Sequence, residues 1–419
     1  MTITGIIFYS IVFIFIIHRI IRNKTQLTVT ELSLAFIFKV ALGCLYGYIY
    51  GHFYNGDDTW MFQTYSLEEL QLLYNDPVLF ITKLGPAQTF AWLGGTFWQN
   101  MSAWLHTLEN NLIVKILTIG NIFGGSNYYI NVVFFNFVLF WGHYWLFNLY
   151  MQEFPQKRKP LLLLIFFFPP LVFWLSGIRG DGMVLFFVAL LLLHFRRWLY
   201  SNNKWSILYF ALGVFGTIIF RSQVLLLLIP ALTAWYISVK FNRKPLPTFC
   251  WVFATGCLLF FATAWLSPQK NLPGVVAQRQ QDFMGLQGTR FQLDTLQPTL
   301  GSFTRVLPQA LSHTFVRPYI WEAQGALQLM TSAAIIIFWL LVFISIIKNE
   351  IYWKTLLCKP LILFSLAFGI TLYIFVGYTI PFPGAIVRYK AIPELLLLAV
   401  PIICTNWAFL SKISKKLYI

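Results

Sequence analysis

The chain has 419 residues, 58 % of them hydrophobic and only 11 % charged, and its mean hydropathy is +0.69. A soluble domain of this length cannot hide that much apolar surface. The formal net charge of +16 does not imply a nucleic-acid partner, because the basic residues stand in short clusters between apolar runs. These are His18–Arg22–Lys24, Lys157–Arg158–Lys159, Arg196–Arg197, Lys240–Arg243–Lys244, Lys348–Lys354–Lys359 and Lys412–Lys415–Lys416. That is the pattern of cytoplasmic loops in a membrane protein, and no nucleic acid is expected.

Runs of about 20 apolar residues, enough to cross about 30 Å of hydrocarbon, recur along the chain. Within lipid every backbone polar group needs an internal partner, so such runs are helical. A β-barrel would show segments of about ten alternating residues, and none are visible. The predicted fold is therefore all-α, a polytopic transmembrane helical bundle of about eleven helices forming one integral-membrane domain over 1–419. The spans are 3–20, 32–53, 129–150, 160–176, 183–195, 205–220, 223–239, 248–266, 327–347, 361–379 and 391–410. The first is expected to be a retained helix, since no basic region precedes it and no small-residue cleavage site follows. Placing every basic cluster inside puts the N-terminus outside and the SKISKK tail inside. The expected location is a bacterial inner membrane.

In this topology two extracytoplasmic loops are long, 54–128 and 267–326. In the first, residues 67–74 and 112–123 read as amphipathic helices on the membrane surface, and Trp60, Trp92, Trp98 and Trp104 suit the interfacial belt. The second, rich in Gln, Pro and Gly, reads as less regular. The five cysteines Cys44, Cys250, Cys257, Cys358 and Cys404 show no metal-ligand spacing and are expected to pack. Lys39, inside an apolar run, is expected to snorkel toward the cytoplasm, and Lys390 to anchor at headgroups. Apart from Lys39 and some Ser, Thr and Asn, the helix centres look apolar.

The charges that topology does not explain gather on the outer side. Gly56-Asp57-Asp58 opens the first long loop; Arg179 and Asp181 end the 160–176 span; Arg221 lies in the next outer turn. Arg317 and Glu322 close the second long loop, and Arg388-Tyr389-Lys390 lies in the last outer turn. Guanidinium groups grip phosphate oxygens through paired hydrogen bonds and stabilise charge on a departing phosphate. A carboxylate takes the proton of an acceptor hydroxyl, and adjacent carboxylates hold a divalent cation, Mg or Mn, against a diphosphate. Asp57 and Asp58 are thus the candidate catalytic or metal residues. Arg179, Arg221, Arg317 and Arg388 are the candidate phosphate binders, with Asp181, Glu322 and Tyr389 supporting. Each has a plainer reading: Gly56-Asp57-Asp58 as a helix cap, Arg179 paired with Asp181, Arg317 with Glu322, and Arg221 as a phospholipid anchor.

A hydrophobic helix followed by a large outer loop that opens on an acidic motif resembles the GT-C superfamily of membrane glycosyltransferases. Phe173–Asp181, Phe315–Glu322 and Arg388–Pro393 are similar to stretches in membrane proteins of bacterial surface-polysaccharide clusters, many from Bacteroidetes. The resemblance implies a polyprenyl-phosphate- or diphosphate-linked sugar donor entering from the lipid bilayer, and a glycan or lipid acceptor. It implies Asp57 or Asp58 as base or metal ligand. No soluble domain is expected after the last span, so acceptor recognition falls to the two outer loops. An O-antigen-type polymerase or ligase, with two outer loops and essential arginines, is the alternative; a lipid-linked-glycan transporter or a membrane scaffold ranks behind both.

Overall fold

In a computed structural model, residues 2–22, 26–82, 97–201, 203–267, 271–288, 290–351 and 353–408 are described. The C-terminal basic tail, Lys24 and Trp92 lie outside them, as does the side chain of Trp98. Among the described residues the structure is helical, with one isolated β-bridge between Asn349 and Thr405. Among the described residues eight helices are long and apolar enough to cross a membrane, and the chain is a membrane protein. It resolves into two compact units, Met1–Arg158 with Ile165–Leu225, and Lys159–Leu164 with Leu226–Ile419.

The first unit opens with α1 (Thr2–Ile21) and α2 (Val29–Phe53). Thr28 and Glu31 form a reciprocal capping box at the start of α2, and Glu31 also pairs with Arg158. Next come α3 (Asp57–Asn75), α4 (Pro77–Thr82), α5 (Phe97–Gly124) and α6 (Tyr128–Met151). The stretches expected at 67–74 and 112–123 lie within α3 and α5, which are longer and pack on each other. Ile113, Val114 and Leu117 are buried, so that apolar face of α5 is turned into the protein. Trp60 likewise stacks on Tyr128, ring centroids 4.0 Å apart, and donates to the Gly47 carbonyl.

The predicted span 160–176 is broken. After a 3-10 turn, α7 (Arg158–Phe167) stops and α8 (Pro169–Trp174) restarts. Phe168 at the junction has ψ 102°, the extended conformation imposed by a following proline. In contrast, 183–195 underestimates α9 (Gly180–Ser201). Glycine and aspartate at 180–182 mark a loop in the sequence but form its first turn. α6 and α9 cross closely: a Cβ on Gly142 would lie 2.8 Å from the Phe186 backbone. The two expected spans around 221–223 are the arms of α10 (Trp205–Lys240), interrupted where Arg221 leaves helical geometry.

The second unit contains α11 (Pro245–Leu266), α12 (Leu272–Met284), α13 (Leu300–Phe315), α14 (Ala326–Ile347), α15 (Trp353–Leu356), α16 (Pro360–Thr379) and α17 (Pro383–Cys404). Residues 267–326 are thus more regular than their composition suggests. α12 and α13 pack on α16 around Leu296, Val306, Ala310 and Tyr378. α17 is enclosed along most of its length. Cys250, Cys257 and Cys358 are exposed; of the five cysteines only Cys404 is buried, so packing in the core is not their common role.

Candidate functional site

In the first unit the candidate residues meet. α2 ends in a tight turn in which Asn55, Gly56 and Asp57 all have positive φ (52°, 88° and 44°), while the Gly56 N–H reaches back to the Tyr50 carbonyl at 2.8 Å. Such backbone costs of order 1–3 kcal/mol per non-glycine residue, and aspartate and asparagine tolerate it best. The turn makes Gly56 the N-cap of α3 and puts Asp57 and Asp58 in its first turn, so the capping reading holds. It also aims both carboxylates at one guanidinium.

That guanidinium is Arg179, in the non-helical segment between α8 and α9. Its Nη1 donates to Asp57 Oδ2 at 2.5 Å and to the Tyr46 hydroxyl at 3.3 Å, and its Nη2 donates to Asp58 Oδ2. The Arg179 side chain is 9 % exposed, whereas those of Asp57 and Asp58 are 35 % and 48 % exposed. A buried cation therefore holds two carboxylates that solvent can reach. Burial works against the charge on Arg179, but Tyr46, Asp181, Asp58 and Asp57 outweigh it and raise its pKa above the ordinary value.

Asp181 pairs with Arg221 Nη2 at 3.5 Å, while Arg221 Nη1 donates to Glu109 Oε1 at 3.1 Å and to the Phe220 carbonyl at 3.0 Å. Glu109 and Tyr46 were not singled out from the sequence. Glu109 sits in a mixed helical stretch whose partner lies 112 positions away. A Cβ on Gly180 would stand 2.3 Å from Glu109 Oε1, which brings the second ion pair against the chain immediately after Arg179. Four carboxylates thus face two guanidiniums, a formal excess of two negative charges.

This geometry gives the two arginines a role beside the expected one. Arg179 and Arg221 are counter-ions of the site's carboxylates, which take up part of their donors. It also bears on a metal. Asp57 and Asp58 are the residues that would hold Mg or Mn, yet their Oδ2 atoms converge on Arg179. Among the described residues no group of three or more His, Cys, Asp or Glu is arranged to ligate an ion. The Arg179 guanidinium occupies the space between the two carboxylates.

In the second unit Arg317 makes a bidentate ion pair with Glu322, Nη2 to Oε1 at 2.6 Å, and lies 4.1 Å over the Phe291 ring. Glu322 also accepts from the Tyr319 N–H at 3.1 Å. The Arg317 contact outweighs partial burial and lowers its pKa from the usual carboxylate range. The His313 ring meets that of Phe291 at a tilt, centroids 5.1 Å apart. Burial and the neighbouring Arg317 charge push its imidazole down to about 4. Arg388 is half-buried; of the four candidate arginines it is the one with no carboxylate partner among the described residues. Tyr389 meets the edge of Phe283 at 6.3 Å.

Two lysines contradict the sequence reading. Lys390 does not anchor at headgroups: it is 1 % exposed and donates to the Thr314 carbonyl at 3.4 Å. Lys39 does not snorkel: it is also 1 % exposed, with Nζ on the Leu175 carbonyl at 2.7 Å and Ser176 Oγ at 3.2 Å. Asn131, Asn136 and His143 of α6 are buried, and Asn131 bonds Gln63 of α3 and Asn121 of α5 at 2.7 and 2.6 Å.

Compared with known proteins, the chain matches no family model, no curated protein and no solved structure.

Proposed function

We propose that this protein is a GT-C-like membrane glycosyltransferase. In this reading it uses a polyprenyl-phosphate- or diphosphate-linked sugar at the outer face of a bacterial inner membrane, for surface glycan assembly. The observation that supports it is the meeting of Asp57 and Asp58 with buried Arg179 at the start of the helix that follows α2. One of these carboxylates, open to solvent, takes the proton of the acceptor hydroxyl while Arg179 fixes its position. The acceptor oxygen bonds to the anomeric carbon as that carbon's bond to the donor phosphate oxygen breaks. The electron pair leaves with the phosphate, and a single displacement inverts the anomeric centre. A guanidinium carries five N–H groups, so Arg179 keeps donors for the departing phosphate beside those it gives to the two carboxylates.

The topology of this reading keeps the N-terminus outside and the C-terminus inside. To the eight long apolar helices it adds a crossing by α7 and α8 together, a crossing by α17, and a second one by the far arm of α10. The test is surface glycan in cells carrying Asp57→Asn, Asp58→Asn or both. Loss or truncation of the glycan, in the double variant at least, is expected, and wild-type glycan from all three overturns the assignment. A polymerase or ligase using the same carboxylates would leave single, complete repeat units, whereas a transferase defect leaves a shortened unit.

A further inference from the structure

Lys39 lies ten residues into α2, about 15 Å from the start of the helix, which is near the middle of a hydrocarbon layer. An ammonium there costs several kcal/mol unless it is compensated. No carboxylate is paired with it among the described residues. Its partners are instead the Leu175 carbonyl and Ser176 Oγ, directly beyond the end of the short helix α8. The carbonyls at a helix C-terminus lack intrahelical donors and carry partial negative charge, and Lys39 is the cation placed against them.

The contacts continue up the same face of α2. A Cβ on Gly43 would lie 2.8 Å from the Ser176 carbonyl oxygen, and one on Gly177 would lie 2.8 Å from the Tyr46 ring. Tyr46 then accepts from Arg179. Positions 39, 43 and 46 are spaced by four and three, which is one helical stripe. They meet residues 175–176, 176 and 177–179 in order, so the non-helical segment is laid along α2 from Lys39 to Arg179. From α6, Asn136 Nδ2 donates to the Ser176 carbonyl at 2.9 Å, and Ser176 Oγ donates to Val172 O at 2.6 Å. Lys39 is therefore the charged pin at the base of the segment that presents Arg179.

We propose that Lys39 is a positioning residue. Its ammonium, docked on the C-terminal end of α8, sets the path of 175–179 and so delivers Arg179 to Asp57 and Asp58. The consequence for catalysis rests on the glycosyltransferase reading; the pinning itself does not. The substitution Lys39→Met keeps length and apolar volume but removes the donors.

The test compares the full-length wild type with Lys39→Met in lipid nanodiscs by hydrogen–deuterium exchange, and by the reactivity of Arg179 toward phenylglyoxal. Amides of residues 175–180 are expected to exchange at least tenfold faster, and Arg179 to react severalfold faster. Arg221 serves as the control and should be unchanged, as should exchange in α6 and in α9 beyond Gly180. Unchanged exchange at 175–180 overturns the proposal, as does an increase spread evenly over α2, α6 and α9 with both arginines more reactive. If Lys39→Met does not fold, Ser176→Ala, which removes one of the two acceptors, is expected to raise exchange of the same segment about threefold. No change there overturns the proposal equally. Surface glycan is measured in parallel. Faster exchange at 175–180 while the Asp57→Asn/Asp58→Asn double variant keeps wild-type glycan would sustain the pin and overturn the glycosyltransferase reading. Loss of glycan in Lys39→Met with no local change in exchange would overturn the pin and leave that reading standing.

Discussion

Arg221→Met is expected to destabilise the protein more than Arg179→Met, although Arg179 is the more deeply buried arginine. The reason lies in what each substitution leaves behind. Asp57 and Asp58 are 35 % and 48 % exposed, so without Arg179 they are taken up by water. The loss is then that of charge-assisted hydrogen bonds screened by solvent, about 1 kcal/mol each and about 2 kcal/mol together. Glu109 and Asp181 are only 11 % and 7 % exposed, and without Arg221 they become buried carboxylates with a counter-ion removed. Breaking such a pair costs about 3–5 kcal/mol. The difference, at least about 1 kcal/mol, is measurable by reversible unfolding in mixed micelles. Adding Glu109→Gln and Asp181→Asn to Arg221→Met should recover a substantial part of the loss. An Arg179→Met variant equal to or less stable than Arg221→Met would refute this reasoning, and so would a triple variant no better than Arg221→Met alone. Glycan assembly should fail in Arg179→Met despite its milder instability.

Gly47→Ala should cost about 1–3 kcal/mol. The new Cβ would lie 2.1 Å from Tyr128 Cε1, and that ring cannot retreat while it stacks on Trp60 and shares a 2.7 Å hydrogen bond with Thr59; thermal unfolding in nanodiscs checks it. His313 should make the protein acid-sensitive. Folded, it binds a proton only near pH 4, but unfolded it does so near 6.5. Its stability contribution is therefore intact above about pH 6.5 and falls as pH drops toward 4, by at most about 3 kcal/mol. His313→Phe should flatten unfolding stability between those limits; an unchanged pH profile would show that His313 is not held neutral. Glu322→Gln should remove a different limb. Its lowered pKa contributes stability above the ordinary carboxylate range that is lost at more acid pH, so the variant should lose stability at pH 7 and show less further loss on acidification.

The long apolar helices could be read from the sequence because hydrocarbon thickness and backbone hydrogen bonding dictate their length. α1, α2, α6, α11, α14 and α16 lie within a few residues of their predicted bounds. The break between α7 and α8 was missed although Pro169 and Pro170 announce it, since hydropathy averages over a kink. α12 and α13 were missed because Gln, Pro and Gly content says little about which faces a loop will bury. Within the site, Asp57, Asp58, Arg179, Asp181 and Arg221 were found by their charge and do converge. Their pairing was not legible: Arg179 bonds residues more than a hundred positions away, not Asp181 beside it. Lys39 shows the same blind spot. A lysine in an apolar run looks alike whether it snorkels to water or bonds a distant carbonyl, and the Lys39 partner lies 136 positions on.

The most direct test of the central claim is transfer in a reconstituted system. Full-length protein in proteoliposomes is supplied with polyprenyl-linked sugars and acceptor glycolipids extracted from a host strain lacking this chain. Lipid products are followed by mass spectrometry. The account predicts that wild-type protein consumes a polyprenyl-linked sugar, releases the polyprenyl phosphate or diphosphate and extends an acceptor, and that Asp57→Asn/Asp58→Asn does none of these. Turnover by the double variant at the wild-type rate would contradict it.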